Sequence, residues 1–293
     1  MGDTVRGDTI RIDGTGKYDT VDVEEFRVNG TGKVSEDLYA GAASINGTGK
    51  VGGHADVGEL DVDGTVKIEG NVRAETVEVD GTGKFGGDVA ADELGGDGTV
   101  KIGGDASVDH LRADGTTKVG GNLDGHHVES DGTMKVGGSL VASDARFDGT
   151  GKVRGLTDVT ELGVDGTGKF GDVNAETLTA KGSLRAEDVN ARVFDLALDG
   201  DSEADSVRGT QIHVRRRESD SSLGSKLLNR GDPVFEVGVV EGETVELDAT
   251  RAETVVGDGV TLGPDVNAET VYTDDLDAHD DATVGDVRPR DDY

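Results

Sequence analysis

A six-residue segment that recurs at a fixed interval constrains the fold of this chain more than any other feature. Versions of Asp80-Gly81-Thr82-Gly83-Lys84-Phe85, here called the anchor, occur ten times. The copies begin at Asp13, Asn29, Asn46, Asp63, Asp80, Asp97, Asp114, Asp131, Asp148 and Asp165, so the first interval is 16 residues and the next eight are 17. A fixed period of this length is typical of a solenoid, in which each unit packs against its neighbours.

Apolar residues recur around each anchor with the spacing of a β-strand. In the copy at Asp80 they are Val77, Val79, Phe85 and Val89. Spacing of two within a cluster is strand periodicity. Glycine, 48 of the 293 residues, falls between the clusters. The pattern predicts an all-β parallel β-helix with rungs of about 17 residues, three short faces per rung and a rung separation of about 4.8 Å.

The same pattern divides the chain. Residues 1–214 are predicted to form about twelve rungs of the β-helix. Residues 215–233 are polar and have no period, which indicates an inserted loop. Residues 234–272 resume the rungs. Residues 273–293 are acidic with few apolar side chains, and this composition predicts a mostly disordered tail.

The charge balance excludes several classes of partner. The chain has 61 acidic and 29 basic residues and a net charge of −32. Such a surface repels nucleic acid and anionic lipid, and its self-repulsion is screened by salt, which fits a halophilic protein. The sequence has no apolar run near the roughly 20 residues needed to span a membrane. With no recognisable secretory signal after Met1, the expected location is the cytoplasm.

Ten of the twelve lysines occupy one position of the repeat. They are Lys17, Lys33, Lys50, Lys67, Lys84, Lys101, Lys118, Lys135, Lys152 and Lys169. One interpretation is a ladder of exposed ion pairs with the Asp or Asn four residues earlier, each pair contributing about 0–1 kcal/mol. The other is a lateral contact surface for an acidic partner or a second filament.

No motif indicates a catalytic, cofactor or metal site. Gly81-Thr82-Gly83-Lys84 lacks the length and the following Ser or Thr of a phosphate-binding loop. The chain has no cysteine. The histidines at 54, 110, 126, 127, 213 and 279 show no common position in the repeat, and His126-His127 is interpreted as part of a surface loop. We therefore predict a protein that is not an enzyme.

The segment Ile68-Glu69-Gly70-Asn71-Val72-Arg73-Ala74-Glu75-Thr76-Val77-Glu78-Val79-Asp80-Gly81 resembles the repeats of the bactofilins, and the acidic composition is similar to their haloarchaeal relatives, the halofilins. The resemblance covers most of residues 3–214 and, more loosely, 234–272. It implies a right-handed β-helix that polymerises without nucleotide as a cell-shape scaffold. The implied partners are further copies of the chain and another cytoskeletal or membrane-associated protein, with contact to the inner face of the membrane through that partner.

The strand edge of the first rung, with Val5, Ile10 and Ile12, is the candidate polymerisation end, because unpaired edges recruit other strands. Two alternatives remain open. One is a β-helical surface or adhesin-type structural protein. The other is a hexapeptide-repeat acyltransferase, whose coils of 18 residues place an aliphatic residue at every sixth position.

Overall fold

The computed structural model describes residues 3–217 and 232–293, and these are almost entirely parallel β-strands. They form a β-solenoid of about 16 turns with rungs of about 17 residues, which confirms the predicted fold class. No α-helix occurs in those two ranges. The chain divides into two compact units, residues 1–145 with 152–155 and residues 146–151 with 156–293, called here the first and second units.

The first unit alternates long strands with strands of four residues. Its strands are β1 (Thr4–Ile12), β2 (Thr15–Tyr18), β3 (Thr20–Val28), β4 (Thr31–Val34), β5 (Leu38–Ile45), β6 (Thr48–Val51), β7 (Ala55–Val62), β8 (Thr65–Ile68), β9 (Val72–Arg73), β10 (Thr76–Val79), β11 (Thr82–Phe85), β12 (Val89–Gly96), β13 (Thr99–Ile102), β14 (Ala106–Ala113), β15 (Thr116–Val119), β16 (Leu123–Ser130) and β17 (Thr133–Val136). Strands β18 (Leu140–Phe147) and β19 (Thr150–Val153) contribute residues to both units.

One turn shows how the sequence produces three faces. In β11, Gly83 and Phe85 point into the core while Thr82 and Lys84 point outward. The longer strand β12 pairs with β14 on both sides of Asp92 but not at Asp92 itself, so a corner divides it into two faces. Because side chains alternate along each face, every turn contributes several inward apolar side chains.

Successive turns stack so that equal positions of the repeat face each other. Thr82 pairs with Thr99 and Phe85 with Ile102, each 17 residues further on. The predicted apolar positions are buried throughout the first unit except at the first turn, where Tyr18 is half-buried. The core is therefore a set of columns, one of which holds Phe26, Ala43, Leu60, Val77, Leu94 and Leu111.

The corner glycines are required because the turns lie too close for a side chain. A Cβ on Gly81 would lie 2.0 Å from the carbonyl oxygen of Gly64 on the preceding turn. The same glycine column continues at Gly98 and Gly115, where the distance is 2.1 Å. Gly14 belongs to the first described turn, and a Cβ there would meet nothing within 4 Å.

A second corner is stabilised by side chains that accept hydrogen bonds from the next turn. The backbone N–H of Asp88 donates to Asn71 Oδ1 at 3.0 Å, and that of Asp105 donates to Asp88 Oδ1 at 2.9 Å. Members of this ladder are Asp37, His54, Asn71, Asp88, Asp105 and Asn122, and it ends on the N–H of Ser139. A Cβ on Gly87 would lie 2.0 Å from Asn71 Oδ1, so glycine before the ladder residue leaves room for its side chain.

The second unit uses the same stacking with longer strands. They are β20 (Thr157–Lys169), β21 (Val173–Leu198), β22 (Ser202–Arg208), β23 (Gln211–Arg216), β24 (Phe235–Glu241), β25 (Thr244–Leu247), β26 (Thr250–Val256), β27 (Gly259–Leu262), β28 (Asn267–Tyr272), β29 (Asp275–Ala278) and β30 (Thr283–Arg288), followed by a 3-10 helix (Arg290–Asp292). Gly166 and Gly182 stack at a corner within β20 and β21, and both have φ of +133°, a conformation that favours glycine. Phe194 and Phe235 pack in the core with ring centroids 6.2 Å apart.

The prediction of a mostly disordered tail at 273–293 is wrong. Strand β29 pairs with β27 and β30 pairs with β28, in register. The tail has few apolar residues, but Leu276 stacks on Val260 and Val287 on Val271, and the backbone hydrogen bonds of a parallel strand do not depend on side-chain identity. Composition alone therefore underestimated the order of this segment.

The predicted loop at 215–233 begins too early. Arg215 and Arg216 lie in β23, paired with Ala197 and Leu198 of β21. Ion pairs join Arg215 to Asp195 and Arg216 to Asp265, so the basic run is held against acidic side chains of the solenoid. Residues 218–231 of the predicted loop lie outside the described residues. The predicted rungs at 234–272 contain β24 to β28.

We predict that Gly81→Ala lowers the urea midpoint by an amount equivalent to about 1–3 kcal/mol, since the added methyl group must displace the backbone of the preceding turn. Gly14→Ala is the matched control, because it occupies the same position of the repeat with open space around it. Equal midpoints for the two variants, measured by circular dichroism, would contradict the stacking described here.

Candidate interaction surfaces

The lysines of the first unit form one straight column on the surface. The pairing of the short strands places Lys17, Lys33, Lys50, Lys67, Lys84, Lys101, Lys118 and Lys135 opposite one another on successive turns. All eight are exposed. Lys152 lies in β19, and in the second unit Lys169 stacks on Arg185. The eight lysines in continuous register are called the lysine column below.

The predicted ladder of ion pairs between these lysines and the anchor Asp or Asn is wrong. Within residues 3–217 and 232–293, the ion pairs of the column are those of Lys50 and Lys67, both with Glu69 at 3.1 and 2.8 Å. Glu69 is two residues after Lys67 and points from the same side of the rung, whereas the anchor Asp lies at the preceding corner. These two lysines lower the pKa of Glu69 through hydrogen bonds first and charge second.

The anchor carboxylates form a second column at that corner. Asp63, Asp80, Asp97, Asp114 and Asp131, called the aspartate column, are exposed and stand one turn apart. At the first turns, the residues in the same position of the repeat are hydrogen-bonded to each other, since Asn29 Nδ2 donates to Asp13 Oδ1 at 2.7 Å. Arg112 contacts Asp114 at 3.5 Å, but in the described part of the chain no cation pairs with Asp63, Asp80 or Asp97.

The face beside the aspartate column is strongly acidic. Burial, and then the charges of Asp80, Asp97, Asp61 and Asp114, raise the pKa of Glu78. A Cβ on Gly95 would lie 2.1 Å from a carboxylate oxygen of Glu78, so this side chain rests against the next turn. The pKa of Asp61 is raised by burial and by Asp63, Glu59 and Asp80. The folded chain therefore holds like charges together at a cost in stability.

The candidate polymerisation end lies on β1. Val5 is 37% exposed, whereas Ile10 and Ile12 are buried. Among the described residues β1 pairs with β3 alone, so its other edge is unpaired. In the second unit β30 likewise pairs only with β28, and Val287 is 52% exposed although its stacking partner Val271 is fully buried.

Two of the histidines share a position of the repeat, contrary to the prediction. His110 and His127 face each other on β14 and β16 with stacked rings 5.1 Å apart. His127 contacts Asp144 at 2.9 Å. His126 and His127 lie within β16 and not in a loop. Within the described residues, no group of three or more His, Asp or Glu side chains has the arrangement of a metal site.

Comparison of the chain with known proteins identifies no relative. No family model matches the chain, and no curated protein or solved structure is significantly similar to it. Membership of the bactofilins therefore stays a prediction based on the repeat. Among residues 3–217 and 232–293 there is no helix of the length and apolarity that crossing a membrane requires.

We predict that Glu78→Gln raises the urea midpoint at pH 7 in low salt. A carboxyl whose pKa is raised by folding contributes stability below its unfolded pKa, about 4.3 for Glu, and loses that contribution as pH rises through the folded value. The amide keeps the shape and removes the charge. The gain should vanish below about pH 4, where the native carboxyl is protonated, and shrink in molar salt.

Glu24→Gln is the control, because Glu24 is an exposed glutamate of the same unit away from the acidic face. A gain for Glu78→Gln no larger than that for Glu24→Gln, or one that does not change with pH, would contradict the assignment of like-charge repulsion to Glu78.

Proposed function

We propose that this protein is a structural scaffold that polymerises through the edges of its first and last turns without nucleotide. The proposal rests on the edges of β1 and β30 that have no partner strand within residues 3–217 and 232–293. Beside each edge, an inward apolar position is open to solvent. An unpaired edge presents a row of N–H and C=O groups that a second strand satisfies. A second copy supplies such a strand with the same repeat.

The last turn supports this proposal because its core positions are incompletely covered. Leu276 is half-buried and Ala278 exposed, while Val260 and Leu262, on which they stack, are buried. At the first turn Val5 is exposed while its partner Val21 is fully buried. Adding a turn at either edge would bury these side chains, and apolar burial stabilises association by about 25 cal/mol per Å² before entropy costs.

The biological setting is proposed on the sequence. The repeat resembles that of bactofilins, which favours a cytoplasmic cell-shape scaffold of the halofilin kind, and the net charge of −32 favours a high-salt interior. A partner protein would mediate any contact with the membrane. The rung of about 17 residues differs from the 18-residue coil of hexapeptide acyltransferases, which favours the scaffold over that enzyme.

The test introduces a charge at each edge. Val5→Asp and Val287→Asp should reduce assembly in negative-stain microscopy and sedimentation velocity, in molar salt without nucleotide, because an edge charge must be desolvated when strands pair. Val141→Asp is the matched control, since Val141 is 45% exposed but lies in β18, away from both edges.

Wild-type protein should form particles that lengthen with concentration, and Val141→Asp should behave like wild type. If wild type stays monomeric at every concentration and salt, or if both edge variants assemble as wild type does, polymerisation through these edges is contradicted.

A further inference from the structure

Most lysines of the lysine column have no ion pair within residues 3–217 and 232–293. Lys84, Lys101 and Lys118 are exposed, stand on successive turns and make no ion pair within the described residues. Like charges on neighbouring strands destabilise each other. A surface that concentrates cations in a chain of net charge −32 is therefore suited to an anionic partner that lies along the turns.

The aspartate column is a matching row of exposed anions. Asp63, Asp80 and Asp97 are exposed, unpaired within the described ranges, and stand on successive turns like the lysines. Both columns arise from one 17-residue repeat, so both advance by one inter-strand distance, about 4.8 Å per charge. A second copy of the chain thus offers anions in the same spacing as the cations, and each additional turn adds one more pair.

From these observations we infer that the lysine column of one copy binds the aspartate column of a second copy, so that copies associate side by side. The two columns are different, so a contact in which one lysine column meets one aspartate column is heterologous. Such a contact leaves a free lysine column and a free aspartate column on the pair and continues to further copies, whereas a two-fold arrangement that matches both columns of each copy closes as a dimer.

This lateral contact does not depend on the edges used in the proposed polymer. The lysines and aspartates point outward from the sides of the turns, whereas polymerisation uses the backbone of β1 and β30. The two contacts have different readouts, because lateral association widens a particle and edge association lengthens it.

The experiment uses two full-length variants with complementary charge. In the first, Lys84→Glu, Lys101→Glu and Lys118→Glu make the basic column acidic. In the second, Asp63→Lys, Asp80→Lys and Asp97→Lys make the acidic column basic. Particle width is measured by negative-stain microscopy and mass by sedimentation velocity at roughly 0.15 M salt, where the Debye length is about 8 Å.

Wild type should associate laterally, and each variant alone should need at least about a tenfold higher concentration to do so. An equimolar mixture of the two variants should recover association, because the acidic column of one again meets a basic column of the other. Recovery on mixing distinguishes a contact between columns from a general effect of charge on folding.

A triple control variant carries Arg73→Glu, Arg192→Glu and Arg251→Glu. These substitutions change the net charge by the same amount as the first variant but lie outside both columns, so the control should associate like wild type. Circular dichroism checks that every variant is folded, and Lys→Gln and Asp→Asn versions at the same positions replace any that is not. Adding Val5→Asp and Val287→Asp to both column variants and repeating the mixture separates the lateral contact from polymerisation. Particle width should recover on mixing even where particle length does not.

Three results would overturn the inference. One is wild-type protein whose particles have the width of a single copy at every concentration. Another is unchanged association of the two column variants. The third is wild type that binds polyglutamate through these lysines but not a second copy, which would assign the column to an acidic partner of another kind.

Discussion

Backbone hydrogen bonding between turns of equal length is the constraint on which the rest of this structure depends. Between the first and last described turns, the parallel strands satisfy their N–H and C=O groups with the strand one turn before and the strand one turn after. In the first unit this pairing joins residues 16 or 17 positions apart, which is the interval of the sequence repeat. The corner glycines follow from this pairing, because the carbonyl oxygen of Gly64 occupies the space that a side chain on Gly81 would need.

In-register stacking also turns each position of the repeat into a column of like residues. In the core this is favourable, since Val77, Leu94 and Leu111 stack on one another and are buried. On the surface the same rule gathers like charges, and the lysine column, the aspartate column and the raised pKa of Glu78 are its consequences. The chain offsets part of the cost internally, through Glu69 and Arg112. In the scaffold proposed above, bringing opposite columns of two copies together would offset the rest of this cost, and the edges of β1 and β30 would give a separate direction of growth.

The fold could be predicted from the sequence because period and strand alternation are local patterns. The core positions around Asp80 are correct for the same reason. Features that depend on contacts between neighbouring turns are harder to predict from the sequence. The ladder through Asn71 and Asp88 could have been recognised from polar residues that follow Gly-Gly or Glu-Gly at a spacing of 17. The ion pairs of Glu69 depend on side-chain direction, and the stacking of His110 on His127 depends on register.

The most direct test of the account is the register of neighbouring turns. The sequence lacks cysteine, so a Lys84→Cys, Lys101→Cys double variant has a single pair of thiols. Equal positions one turn apart have Cα atoms about 4.8 Å apart, inside the 4.4–6.8 Å range of disulfides. Mild oxidation of dilute protein should give an intramolecular disulfide in this variant and much less in Lys84→Cys, Thr99→Cys, which is out of register by two residues. Equal yields in the two variants, or none in the first, would contradict the stacked repeat and the two charged columns derived from it.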